Sequence, residues 1–97
     1  MNSAEVKLLS CWEEFREENP DLSKEIKKQI QLIYTLGVNE RGEKNQARKE
    51  LIKLQGVLEE HSECLRCLGI NPEDLHDVAL WATAMGLIFL VKEERAL

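Results

Sequence analysis

The sequence predicts an all-α fold, a compact four-helix bundle, as a single helical domain over residues 1–97. Three observations predict it. No stretch alternates apolar and polar residues with the period of two that a half-buried strand needs. Only two prolines and five glycines punctuate the chain, which favours long uninterrupted elements. Apolar side chains recur at steps of three and four, the spacing of a helix face. The expected helices cover approximately 3–18, 20–36, 40–68 and 72–94.

The first helix begins after Asn2, with Glu5 placed to close a capping box. Val6, Leu9, Trp12 (with Leu8) and Phe15 share one face. Asn19-Pro20 ends it, and Pro20 suits the first position of the next helix. Leu22, Ile26, Ile30 and Ile33 form the stripe of that second helix.

The second and third helices end on one device, Leu36-Gly37-Val38-Asn39 and Leu68-Gly69-Ile70-Asn71. Each glycine is expected in the left-handed region just past a helix. The apolar residue after it folds back, Val38 onto Ile33 and Ile70 onto Leu65. Each asparagine then caps the next helix. At the second joint Pro72 is expected at the first helical position, Asp74 at the third, and Ile70 stapled onto Leu75.

The third helix carries a heptad-like seam of Ala47, Leu51, Leu54, Leu58, His61, Leu65 and Leu68. The fourth is apolar nearly all round from Val78 to Val91, as an enclosed helix is. That run is shorter than the ~20 apolar residues of a membrane span, so no membrane association is expected. The tight joint at Gly69 makes the third and fourth helices an antiparallel hairpin.

Apolar residues make up 43% of the chain and charged residues 32%, which suits a folded protein rather than a disordered one. The net charge of −5 argues against general nucleic-acid binding. The charge is uneven: −3 over residues 1–27, +3 over 28–53 and −5 over 54–97. The N-terminus lacks the basic and apolar regions of a signal peptide, and three cysteines do not make a disulfide framework. A reducing, cytoplasmic setting is expected.

His61, Cys64 and Cys67 invite a metal or redox reading. On one helix His61 and Cys67 stand about 120° and about 9 Å apart, so they do not converge on one ion. A helix C-terminus beside Glu63 disfavours thiolate. The preferred reading is a helix face carrying sulfur, with His61 inside the apolar face and no metal or cofactor. A small metal-binding protein using His61 with Cys64 or Cys67 is kept as an alternative.

Arg41, Lys44, Arg48, Lys49 and Lys53 form a basic patch opposite the seam. It lacks interleaved aromatics, and the chain around Leu36-Gly37-Val38 fails as a helix-turn-helix because Glu43 falls at a core position. A solvated face is preferred, and a nucleic-acid-associated subunit is the alternative. Basic residues lead this helix and Glu59, Glu60 and Glu63 close it, the reverse of what the helix dipole favours. An antiparallel neighbour of the same polarity would match these charges.

Ala79, Ala82 and Gly86 let helix backbones approach closely, and Trp81 and Phe89 project from the same helix. These five residues are the candidate protein interface if three shorter helices leave the fourth partly uncovered. No nucleophile–base pair, phosphate loop or metal motif is present in the sequence, so no enzyme activity is expected. The functional expectation is a protein–protein interaction module, an adaptor, assembly subunit or proteinaceous inhibitor. Its partner is another protein or a second copy in a homodimer.

Overall fold

A computed structural model describes residues 3–38 and 44–96, with side chains at 6–37, 45–63, 65, 66 and 68–92. The elements are α1 (Ser3–Glu18), α2 (Pro20–Val38), α3 (Lys44–Glu60), a 3₁₀ segment (Ser62–Leu68) and α4 (Leu75–Ala96). Among the described residues there is no strand, and the fold is the expected all-α four-helix bundle.

The core draws on every element. Trp12 and Phe15 come from α1, Ile26, Ile30 and Ile33 from α2, and Leu54 and Leu58 from α3. Leu65 and Leu68 of the 3₁₀ segment join them, as do Val78, Trp81, Ala82, Met85, Ile88 and Phe89 of α4. Trp12 is the hub of the aromatics, with ring centroids 5.5 Å from Phe15, 6.3 Å from Trp81 and 5.2 Å from Phe89. Lys27 places its ammonium 5.2 Å from the Phe89 ring centre. Val6, expected on the apolar face of α1, is exposed because it lies toward the helix end, away from the buried Trp12 and Phe15.

The α1–α2 joint is as the sequence predicts. Asn19 alone separates the helices and Pro20 opens α2. The Asn19 amide donates to the Phe15 carbonyl at 2.8 Å, and the Ser23 amide donates to the Asn19 carbonyl at 2.9 Å. Helix α2 is central and packs most extensively on α3 and then on α4, while α3 and α4 touch less. The hairpin expected of the last two long helices is therefore secondary to the α2 contacts.

Two joints depart from expectation. Gly37 is not left-handed, and α2 runs through it to Val38. A helical glycine costs about 1 kcal/mol, and the helix nonetheless continues one residue beyond it. Asn39 lies outside the described residues. At the second joint Gly69 does adopt φ 67°, as expected, and donates to the Arg66 carbonyl at 3.3 Å. Helix α4, however, starts at Leu75 and not at Pro72. Asn71 Oδ1 accepts from the Glu73 amide at 3.2 Å, forming an Asx turn. The Pro72 carbonyl, which a helix would give to the His76 amide, accepts instead from Gln55 Nε2 at 3.0 Å. Asp74 takes over as the cap, accepting from the His76 amide at 3.0 Å.

The third helix is also not continuous over 40–68. It ends at Glu60, and His61 leaves helical geometry at φ −119° and ψ 29°. The following segment winds with about three residues per turn, which sets residues three apart on one edge. Leu65 and Leu68 are such a pair, both buried where the segment packs on α1. Beyond the bend at His61 both leucines lie in the core.

Candidate interaction surface

The structure sorts the apolar residues of α4 into two sets. Trp81, Ala82, Gly86 and Phe89 face inward and are buried by the other helices, so the expectation that Trp81 and Phe89 stand uncovered is corrected. The close approach that the small residues permit occurs within the chain. A Cβ on Gly86 would lie 2.9 Å from Tyr34 Cβ and Cδ2, so the missing side chain is the seat of the Tyr34 ring. Ala79 is half-buried and lines a groove.

The outward side of α4 carries Leu80, Leu87 and Leu90, which are 58%, 48% and 43% exposed. With Thr83 they step by three, four and three, so they form one ridge. The Thr83 hydroxyl donates to the Ala79 carbonyl at 2.9 Å, which directs its polarity into the helix. A groove of about 350 Å³ runs beside the ridge between α2, α3 and α4, bounded by Ile33, Tyr34, Leu51, Ala79, Thr83 and Arg48. A second of about 250 Å³ lies across Tyr34, between Thr35 and Leu90. Tyr34 divides the two because both share it as a wall.

Helix α4 is longer than the apolar run read from sequence. Its window Leu75–Lys92 spans 18 residues at mean hydropathy 1.4, enough by length and composition to cross a membrane. Its inward residues are core members, and 39% of the window is buried in the bundle. The ridge is part of what stays uncovered.

The basic patch is dispersed. Arg41 lies outside the described residues, as does the side chain of Lys44. Arg48, Lys49 and Lys53 are exposed, and Arg48 and Lys53 point about 140° apart around α3. Arg48 borders the groove toward α4. Lys53 donates to Glu50 Oε1 at 3.3 Å on the α2 side. Glu50 is buried and also accepts from Gln29 Nε2 at 2.5 Å and from Gln46 Nε2 at 3.0 Å. The Gln29 hydrogen bond, with help from Lys53, holds its carboxyl below the usual glutamate range. Glu13 on α1 is lowered likewise by Lys92, which donates to it at 2.5 Å and ties α1 to α4.

His61 is half-buried, and its Nδ1–H donates to the Val57 carbonyl of its own helix at 3.0 Å. The ring thus turns back onto the last turn of α3. The side chains of Cys64 and Cys67 lie outside the described residues, and Cys11 is partly buried against the core. Among the described residues no three His, Cys, Asp or Glu side chains converge as metal ligands. The exposed leucines could be placed from sequence only by knowing which side of the nearly all-apolar α4 faces the core. Comparison with protein-family models, with curated proteins and with solved structures found no match for this chain.

Proposed function

We propose that this protein is a cytoplasmic, non-enzymatic protein–protein interaction module that binds through the outer ridge of α4. The observation that supports this reading is the alignment of Leu80, Leu87 and Leu90 at helical spacing beside the Tyr34 grooves. Isolated exposed leucines are ordinary on protein surfaces, whereas an aligned set beside concave walls suits a partner helix laid along it. The ridge supplies apolar contact, and Arg48 at the groove edge supplies one charged contact to fix orientation. On this reading the interaction lies on α4, on residues adjacent to Trp81 and Phe89 rather than on them.

The test is site-specific photocrosslinking in cells from a probe at Leu87, with a probe at the exposed Lys24 of α2 as control. The expected result is one discrete adduct from position 87 that disappears when Leu80→Glu is added. Identical adducts from both positions, or none from position 87, would remove the proposal.

A further inference from the structure

We infer that α3 pairs antiparallel with α3 of a second copy of this chain through its outer face, a surface that meets the α4 groove at Arg48 but does not rest on the reading given above. Three features of that face coincide. Ile52 is 50% exposed at its middle. Gly56, one turn on, is exposed in mid-helix, and a Cβ there would meet no atom within 4 Å. Among the described residues nothing therefore requires a glycine, although glycine weakens a helix interior. Arg48 and Lys49 precede this pair and Glu59 and Glu60 follow it, all exposed, and among the described residues none of the four makes an ion pair.

These features are symmetric about the level of residue 54. Laying a second α3 antiparallel across that level sets Ile52 of one copy over Gly56 of the other, and the reverse. An isologous pair of this kind repeats every contact twice. The absent side chain at Gly56 forms the notch that receives Ile52 and lets the axes approach toward the lower end of the usual 8–10 Å. On one flank Arg48 then stands within about one residue's rise, 1.5 Å, of the level of Glu59 of the second copy. On the other flank Lys49 stands equally close in level to Glu60 of the second copy. The flanks stay distinct because the two-fold axis carries each flank onto itself. A parallel pair would set like charges together and Ile52 against Ile52.

The same arrangement accounts for the order of charges along α3. Basic residues toward a helix N-terminus and acidic ones at its C-terminus oppose the helix dipole, so the isolated chain gains nothing from them. In the antiparallel pair the dipoles also run in opposition, and each basic end meets an acidic end. The occupant is thus a second copy: the face is complementary to itself in charge, in shape and in register.

Sedimentation equilibrium of the full chain from micromolar to millimolar concentration tests this, in low salt and in about 0.5 M salt, where screening acts within a few Å. The expected result is a monomer–dimer equilibrium that weakens with salt. R48E/K49E should weaken it by on the order of tenfold or more, because four attractive pairs become repulsive. The four-way exchange R48E/K49E/E59K/E60K keeps the net charge and should restore the dimer. Circular dichroism establishes that each variant remains helical. A monomer throughout, a dimer indifferent to R48E/K49E, or a four-way exchange that fails to recover would each overturn the proposal. A dimer lost only on Leu87→Glu would overturn it too, and would assign self-association to the α4 ridge.

Discussion

Two mid-helix glycines should respond oppositely to the same substitution. Gly56 of α3 and Gly86 of α4 both have ordinary helical φ, so alanine gains each helix about 0.5–1 kcal/mol of propensity. At Gly56 a new methyl meets nothing within 4 Å, so that gain is kept. At Gly86 it would lie 2.9 Å from Tyr34 Cβ and Cδ2 and 3.0 Å from Cγ. Tyr34 Cβ is fixed to the α2 backbone, so a change of rotamer cannot relieve the contact and the two helices must separate. Overpacking of this kind costs about 1–3 kcal/mol. Because the propensity gain is common to both variants, their difference isolates the clash at about 1–3 kcal/mol. In a domain of this size that is a gap of at least about 4 °C in Tm, with Gly56→Ala above the parent and Gly86→Ala the lower of the two. Thermal and urea unfolding at low micromolar concentration, where self-association does not contribute, is the assay. Equal midpoints for the two variants would refute the α2–α4 contact at Tyr34.

Two further outcomes follow from the core and the buried Glu50 carboxylate. Leu65→Ala should cost about 2–5 kcal/mol by urea titration, since the bend at His61 returns this 2%-exposed leucine to the core; a loss well under 1 kcal/mol would mean that the 3₁₀ segment is not docked on α1. Glu50 has its folded pKa lowered by Gln29 and Lys53. Its contribution is therefore complete above the unfolded glutamate pKa of about 4.3 and is lost as pH falls through the lower folded value. The urea midpoint should fall on acidification below about pH 4, and the part due to this site should vanish in Glu50→Gln; identical acid profiles would show that Glu50 is not ionised in the fold.

Much of the architecture follows from local chemistry. The stripe Leu22, Ile26, Ile30 and Ile33, the Asn19-Pro20 joint and the left-handed Gly69 are legible because period, proline geometry and glycine's tolerance of positive φ act within a few residues. Other features depend on what lies across the bundle. The heptad-like pattern through His61 reads as one helix, but α1 beside it makes a bend more favourable by burying Leu65 and Leu68. Gln55, seventeen residues away, donates to the Pro72 carbonyl, and α4 starts at Leu75 rather than at Pro72.

The candidate surface divides in the same way. Sequence alone determined that this chain is helical, that α4 is its most apolar element and that the charges of α3 run against the dipole. Tertiary structure alone decided which side of α4 is enclosed. An apolar helix has no preferred inward face until its neighbours choose one. Here Tyr34 seated on Gly86 and Trp12 set among Phe15, Trp81 and Phe89 make that choice, leaving Leu80, Leu87 and Leu90 outside. It also decided that Gly56 has open space around it, because a glycine's missing side chain acquires meaning only from what stands opposite it.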